Sequence, residues 1–514
     1  MKGHPKGLIA AALSNMGERF GYYIMNAVLV LFLCSKFGLA EENSTLIYSI
    51  FYMGIYILSL VGGIIADRSQ NYKATIQSGL IVMAIGYIIL AIPILSTSDN
   101  IGWLLPLTCV ALFLIAFGNG LFKGNLQAIV GQMYDNFELE AAKKGPEALA
   151  EAKSKRDPGF QIFYMFINVG GLIAPFVAPL LRSWWLGVNG LEYNANLPAL
   201  CHEFLATGTG VVSENLQALA NAVTGTTATV DAAFCQNYLN VFNTGVHYSF
   251  IASVVAMLIS LTIFLFTKKS MPTPAKKVAA ENVNYTAEEK AAMAKEIKQR
   301  IYALFAVLVI AVFFWFSFHQ NGTSMSLFAR DFVDTSAIPP EIWQAVNPFF
   351  VIVLTFPIMW LFGTAWGRKF STPKKIAIGM GIAGCAYLFM TIYCSISGYP
   401  SATEFKGFDV ETATGLKAGW WVLILYYFFM TVAELFISPL GLSFVSKVAP
   451  KNLLGLCQGL WLGATAVGNG LLWIGPALYN KYPIWICWLV FMAVCLISML
   501  VMLFMVKWLE RVTK

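Results

Sequence analysis

Long apolar runs alternate with short polar segments along the whole chain. The runs are about twenty residues or longer, the length at which a helix crosses the hydrocarbon core of a bilayer. They lack the alternation with period two that strands of a membrane barrel would show. The pattern therefore predicts twelve transmembrane helices, at residues 8–33, 45–66, 75–95, 102–129, 160–185, 246–267, 301–328, 344–366, 375–397, 419–446, 454–478 and 484–507.

The composition excludes a soluble globular domain. Hydrophobic residues make up 58% of the 514 positions and charged residues only 12%, whereas soluble domains carry about 25% charged residues. The chain is therefore predicted to be an all-α integral membrane protein. The first apolar run follows MKGHPKG directly, so we expect it to serve as an uncleaved insertion signal.

A polar connector divides the predicted helices into two sets of six. Residues 1–267 carry the first set, with a long extracytoplasmic loop at 187–245. Residues 268–300 form a cytoplasmic linker, and residues 301–514 carry the second set. A Gly- and cation-rich turn follows the second span (GGIIADRSQNYK) and another follows the eighth (GTAWGRKFSTPKK). This arrangement predicts the two six-helix halves of a major facilitator fold.

Lysine and arginine are distributed unevenly between the predicted loops. With the N-terminus in the cytoplasm, 26 of the 34 fall in inside segments and six in outside segments. This is the positive-inside bias of membrane proteins. We predict a multi-pass protein of the cytoplasmic (inner) membrane with both termini in the cytoplasm. The net charge of +7 then reflects topology, and no nucleic-acid partner is expected.

The nine cysteines show neither CxxC spacing nor a nearby histidine pair, so no metal site is predicted. Seven lie in or beside spans, where cysteine acts as a small apolar packing residue. Cys201 and Cys235 are the only two in the loop 187–245. An oxidising exterior permits a disulfide there, and we predict one between these two residues.

Five ionisable residues lie well inside predicted spans: Glu18, Arg19, Lys123, His319 and Glu434. Such residues are costly in hydrocarbon and usually mark a substrate or ion pathway. The alternative is that they pair among themselves and only lock helices together. Their charges nearly cancel, which favours a cavity with separate positive and negative poles.

A cavity of this kind suits a zwitterion. Arg19 and Lys123 can hold a carboxylate, with arginine offering a forked donor. Glu434 can hold an ammonium group. At about 3.5 Å per extended residue, a dipeptide or tripeptide separates its charged ends by about 7–10 Å. A free amino acid, with both charges on one carbon, would bridge such poles poorly.

Six sequence motifs resemble signatures of the proton-coupled oligopeptide transporters, and together they reach essentially every span. NMGERFGYY (15–23) resembles the ExxERFxYY motif of that family, and RDPGFQIFYMFINVGGLIAP (156–175) resembles its FYxxIN motif. The others resemble its motifs on the fourth, eighth, tenth and eleventh helices: GNGLFKGNLQ (118–127), WQAVNPFFVIVLTFP (343–357), AELFISPLGLSFVSKVAP (433–450) and GLWLGATAVGN (459–469).

The resemblance implies a role for each matching position. Arg19 and Lys123 would bind the peptide carboxylate, and Glu434 its amino end. Asn168 and Asn347 would hydrogen-bond the amino end and the peptide backbone. Aromatic residues would line the pocket, although each of them alone is also typical of core or lipid-facing packing: Tyr22, Tyr23, Tyr56, Trp315 and Trp461. Glu18, Arg19, Lys123 and His319 would carry proton coupling.

Two positions depart from the family pattern. Asn15 stands where the family has the first acid of its ExxER motif, and His319 stands where the seventh helix usually has an acid. Histidine can take over a titrating role, because its reference pKa lies near 6.5. Otherwise coupling is weakened or lost.

The sequence therefore predicts a secondary active transporter that imports di- and tripeptides by alternating access, with the bilayer, the peptide and protons as its partners. A related carrier of an amino acid, a modified peptide or a nitrate-like anion is one alternative. A proton-independent peptide facilitator and a peptide-binding receptor without transport are others. We find no nucleophile–base pair or phosphate-binding loop, so no enzyme activity, cofactor or metal is expected. The protein is expected to be a monomer.

Overall fold

The structure is a computed structural model that describes residues 4–272, 287–335, 338–365, 367–448 and 454–512. These ranges contain no β-strand, and their α-helices are α1 (Leu8–Phe37), α2 (Glu41–Ser69), α3 (Tyr72–Ala91), α4 (Ile101–Ala142), α5 (Pro146–Ser154), α6 (Arg156–Val188), α7 (Leu197–Thr207), α8 (Glu214–Thr224), α9 (Ala232–Thr267), α10 (Ala287–Phe318), α11 (Ser324–Phe332), α12 (Val346–Gly363), α13 (Thr372–Ile396), α14 (Ala402–Phe405), α15 (Val410–Gly415), α16 (Trp421–Val448), α17 (Leu454–Gly470), α18 (Ile474–Lys481) and α19 (Ile484–Val512).

Every predicted span coincides with one of these helices or with a consecutive pair. Within the described ranges, eleven helical segments are long and apolar enough to cross a bilayer. The remaining predicted span, 454–478, consists of α17 and α18, which are separated at residues 471–473. The prediction of an all-α membrane protein is therefore confirmed. Of the predicted linker 268–300, residues 273–286 lie outside the described ranges.

Two helices continue well beyond the spans that hydropathy predicts. α4 has 42 residues, which at 1.5 Å per residue is about 63 Å, roughly twice the thickness of the hydrocarbon core. α9 has 36 residues and begins fourteen positions before its predicted span, at Ala232. The rest of the predicted loop 187–245 contains α7 and α8. Ser213 caps α8 and Asp231 caps α9, each accepting a hydrogen bond from a backbone N–H of the first turn.

The seventh predicted span is broken near its middle. A 3₁₀ turn at His319–Gly322 separates α10 from α11. The hydroxyls of Thr323 and Ser324 donate to Gln320 Oε1 at 2.8 and 2.7 Å. The Gln320 amide in turn donates to the carbonyls of Phe316 and Leu472, at 3.3 and 3.4 Å. Polar side chains thus hold the break together, and a 3₁₀ stretch inside a helix often marks a functional hinge.

The chain forms two compact units. The first contains Met1–Lys276 together with Ala329–Pro348, and the second contains Lys277–Phe328 together with Phe349–Lys514. In the first unit α1 packs against α6 and α9, and α4 packs against α2 and α3. In the second, α13 packs against α16 and α19, and α10 packs against α17.

Glycines allow α2 and α3 to approach α4 at backbone distance. A Cβ atom added at Gly62 would lie 2.1 Å from the Gly120 carbonyl oxygen, and one at Gly79 would lie 2.6 Å from that of Gly118. Small residues are the usual way in which membrane helices pack this closely. The contact between Gly62 and Gly120 holds the part of α4 that carries Asn119 and Lys123 against α2, the helix that carries the tyrosines.

Candidate substrate site

A buried ion pair lies on α1 at the predicted positive pole. Arg19 Nε lies 2.5 Å from Glu18 Oε2, and Arg19 Nη2 lies 2.7 Å from Glu18 Oε1. Asn119 Nδ2 donates to the same Oε1 at 2.5 Å. Glu18 is fully buried and Arg19 is 5% exposed. In the described part of the chain Nη1 of Arg19 has no hydrogen-bond acceptor, so this nitrogen is available to a ligand.

A row of tyrosines connects Arg19 to Lys123. The Arg19 guanidinium lies 4.9 Å from the centre of the Tyr22 ring. Tyr22 contacts Tyr52 at 6.4 Å, and Tyr52 contacts Tyr56 at 5.8 Å between ring centres. The Lys123 ammonium then lies 4.5 Å from the centre of the Tyr56 ring. The structure thus brings together four of the predicted site residues, and Tyr23 adjoins them 5.4 Å from Tyr22.

Lys123 forms no ion pair or hydrogen bond with any residue that the structure describes. Among the described residues, its one direct contact of an electrostatic kind is the cation–π interaction with Tyr56. It is close enough to Arg19 and Glu18 for their charges to act on it. Glu18 neutralises one of the two cations, so the cluster keeps one excess positive charge. Such a cluster can bind a carboxylate.

Three residues of this cluster were missed by the sequence analysis. Tyr52 stands between Tyr22 and Tyr56, and the spacing of four residues from Tyr48 to Tyr52 to Tyr56 is the signal that indicates one helix face. Asn119 holds Glu18, as described above. The third is Asn26, whose Oδ1 accepts from Tyr48 at 2.9 Å and from Tyr22 at 3.3 Å. These contacts orient the tyrosine rings.

The two predicted asparagines lie on different helices of the first unit. Asn168 on α6 is 8% exposed, and its amide donates to the Tyr164 carbonyl of its own helix at 3.2 Å. Asn347 lies in the first turn of α12. Gly171, one turn after Asn168, makes room for Tyr23, because an added Cβ would lie 3.1 Å from the Tyr23 ring. The roles of Asn168 and Asn347 toward a peptide stay predictions.

Asn15 is 4% exposed, and its Nδ2 has no hydrogen-bond partner within the described ranges. The resemblance described in the sequence analysis implies an acid at the position of this buried donor. An amide cannot carry a proton as a carboxylate does, so Asn15 cannot replace that acid in proton transfer.

The remaining predicted site residues lie in the second unit. The His319 ring stacks on Trp315, with ring centres 5.0 Å apart, and its Nδ1 lies 2.5 Å from Asn469 Oδ1. Glu434 is a half-buried residue of α16. Trp461 is 3% exposed and packs over Gly441, where an added Cβ would lie 2.0 Å from its ring. The indole of Trp461 therefore contributes to helix packing, and its role in a pocket stays a prediction.

Cys201 and Cys235 are both fully buried. Both are free cysteines. The neighbouring Cys235 thiol and burial raise the pKa of the Cys201 thiol well above its usual range. The two residues are thus neighbours, and the disulfide stays a prediction. Among the described residues no group of three His, Cys, Asp or Glu side chains is placed to hold a metal.

Known proteins resemble this chain over most of its length. The model of the POT family (PTR2) matches residues 73–286 and 273–486. The peptide transporter YePEPT of Yersinia enterocolitica is 27% identical over 91% of this chain and 86% of its own length. The dipeptide and tripeptide permease A of Escherichia coli K12 is 26% identical over 90% and 82%. A crystal structure of a peptide transporter POT in complex with sulfate has a TM-score of 0.72 at 22% identity, over 100% of this chain and 96% of that one.

The chain belongs to the POT family. Its fold is that of the POT transporters, so the predicted major facilitator fold is confirmed. Members of the family are transporters, and the prediction that the chain is not an enzyme is also confirmed.

Proposed function

We propose that this protein imports di- and tripeptides across the cytoplasmic membrane by alternating access. The observation that carries the proposal is the cluster of Arg19 and Lys123 around a row of tyrosines, in which Lys123 has no acidic partner among the described residues. Two relatives are named as a peptide transporter and as a dipeptide and tripeptide permease, which supports the same substrate class. We further propose a monomer with both termini in the cytoplasm, as the positive-inside bias favours.

Each end of the peptide has a counter-charge in this proposal. Arg19 Nη1 and the Lys123 ammonium bind the carboxylate, and Glu434 binds the amino group. A hydrogen bond to a charged group contributes about 1.5–3 kcal/mol. The tyrosine rings form apolar walls that accept different side chains, since such walls grip a ligand without specific hydrogen bonds.

Proton linkage is proposed to act through Glu18, Arg19, Lys123 and His319. Glu18 accepts three hydrogen bonds in the structure, two from Arg19 and one from Asn119. Protonation of Glu18 would weaken the two bonds from Arg19, because charge-assisted bonds are about twice as strong as neutral ones. The guanidinium would then be freer to bind the peptide carboxylate. Proton binding and peptide binding would therefore favour each other.

A proton-independent peptide facilitator is the second candidate. Asn15 cannot titrate, and His319 is already bonded to Asn469 at 2.5 Å. Both departures stand at positions where the resembling family has acids. This candidate shares the peptide site and differs only in the response to a proton gradient.

Counterflow in proteoliposomes tests the proposal. Liposomes that contain the purified protein are preloaded with unlabelled dialanine, and the entry of labelled dialanine, trialanine, alanine and nitrate is measured. We expect the dipeptide and tripeptide to enter and the other two not to. Faster entry of alanine or nitrate than of dialanine would favour a carrier of another small solute. An inward proton gradient that leaves dialanine accumulation unchanged would favour the facilitator.

A further inference from the structure

Lys36 is a buried cation far along α1 from the cluster at Arg19. It lies in the last turn of α1 and is 5% exposed. Its Nζ lies 2.8 Å from His247 Nε2 on α9, and the ammonium lies over the rings of Phe32 and Phe37, at 5.3 and 5.6 Å from their centres. No carboxylate in the described part of the chain forms an ion pair with it.

His247 does not supply the missing negative charge. Its Nδ1 lies 2.5 Å from the Leu90 carbonyl oxygen. Because a carbonyl only accepts, the proton is on Nδ1, and Nε2 of the neutral ring accepts from Lys36. A lysine ammonium has three N–H donors, and only one of them has an acceptor among the described residues. Two donors of Lys36 are therefore left without an acceptor in these ranges, and apart from the two phenylalanine rings its charge has no partner there.

A small pocket adjoins this lysine. It is lined by Lys36, His247, Asn240, Asn243, Thr244 and residues 93–96. The amide donors of Asn243 are used by Ser35 O at 3.1 Å and Leu239 O at 2.8 Å. The pocket contains about 190 Å³ of space between protein atoms, part of which is open to solvent. Ions can therefore reach the pocket from the solvent.

We propose that this pocket binds a monatomic anion of the size of chloride. Burial of an ammonium without a counter-charge is unfavourable. The negative end of the α1 dipole offsets only part of this cost. An anion in the pocket accepts the two remaining N–H groups and neutralises the charge.

The anion has a structural consequence for the first unit. The pocket joins the end of α1 to α9 and to the segment that follows α3. Chloride binding is therefore expected to stabilise the folded protein, in proportion to the logarithm of its concentration above the dissociation constant. This site is independent of the peptide site, so its test does not depend on transport.

Thermal unfolding in chloride and in gluconate at the same ionic strength tests the site. Gluconate is a much larger anion than chloride and serves as the comparison. We expect the unfolding temperature of the wild type to be higher in chloride by about 2 °C or more. Lys36→Met should lose this difference, and Lys6→Met should keep it, because Lys6 is an exposed lysine. Equal unfolding temperatures of the wild type in the two salts would overturn the proposal.

Crystals grown in sodium bromide provide a direct measurement that needs no variant. We expect an anomalous bromide peak in the pocket, within about 3.5 Å of Lys36 Nζ. The absence of a peak, or tetrahedral density at this place, would overturn the assignment of a monatomic anion.

Discussion

The Nδ1 atom of His319 lies 2.5 Å from Oδ1 of Asn469, a residue 150 positions further along the chain. The imidazole also stacks on Trp315 and is 8% exposed. It begins the 3₁₀ turn that separates α10 from α11. The one histidine in the middle of a predicted span is thus held by α17 at a break in its own helix. Any titration of His319 would act on this contact and on the 3₁₀ turn beside it.

Substitution of His319 tests whether it carries protons. If it does, His319→Gln should keep dialanine counterflow and lose stimulation by an acidic exterior, because glutamine does not titrate. His319→Glu should move the pH profile of uptake toward lower pH, since a carboxyl titrates below histidine. The measurement is gradient-driven dipeptide uptake as a function of external pH. Asn469→Ala serves as the control for loss of the hydrogen bond alone, and full acid stimulation in His319→Gln would rule out the titrating role.

Substitution of Glu434 tests the proposed amino-end site. Glu434→Gln removes the counter-charge of the peptide ammonium, and a loss of about 1.5–3 kcal/mol corresponds to at least tenfold weaker dialanine binding. N-acetylation of dialanine should weaken binding to the wild type about as much, and should have little further effect on the variant. Competition binding with the purified proteins measures both. Equal effects of acetylation on the two proteins would show that Glu434 binds something else.

A second buried ion pair predicts a large effect on stability. Arg182 Nη1 and Nη2 lie 2.5 and 3.3 Å from the Glu341 carboxylate, and the two side chains are 2% and 0% exposed. The guanidinium also lies 4.1 Å from the centre of the Tyr193 ring. Arg182→Met should lower the free energy of unfolding by about 3–5 kcal/mol, because it leaves a buried carboxylate without its partner.

Removal of both charges should restore most of that loss. The double variant Arg182→Met/Glu341→Leu has no unpaired charge, and such replacements are often neutral. The matched control is the exposed pair Lys143–Glu140, at 3.9 Å and more than 70% exposed, whose loss should change stability by less than about 1 kcal/mol. Thermal unfolding of the four proteins measures these differences. A double variant as unstable as Arg182→Met would contradict the ion-pair explanation.

His202 predicts a dependence of stability on pH. It lies on α7, where burial lowers its pKa below 6.5, although the hydrogen bond from Nε2 to the Ser35 carbonyl at 2.7 Å opposes this shift. The folded protein therefore binds this proton less readily than the unfolded chain does, and stability should fall as the pH drops below about 6.5. His202→Gln should reduce this fall, because glutamine can donate to Ser35 without titrating. Unfolding temperatures of both proteins at pH 5 and pH 8 measure the effect, and identical differences would contradict it.

The sequence predicted the spans and the charged residues of the site better than it predicted their contacts. Hydropathy is a property of each segment, so the twelve spans and the intramembrane Glu18, Arg19 and Lys123 could be found directly. Tyr52 and Asn119 face the cluster because of the way α2 and α4 are rotated about their axes. That rotation depends on close glycine contacts, such as the one between Gly62 and Gly120, which a hydropathy pattern does not indicate. The pair of Arg182 and Glu341 joins positions 159 residues apart, and no local pattern indicates it.

Dialanine counterflow by wild type and Lys123→Gln tests the central proposal most directly. Lys123 supplies the cation that has no acidic partner among the described residues, and Lys6→Gln removes the same charge at an exposed position. We expect rapid exchange of labelled dialanine by the wild type and by Lys6→Gln, and at least tenfold slower exchange by Lys123→Gln at a concentration below saturation. No dialanine exchange by the folded wild type, or undiminished exchange by Lys123→Gln, would contradict a peptide transporter that binds its substrate at this cluster.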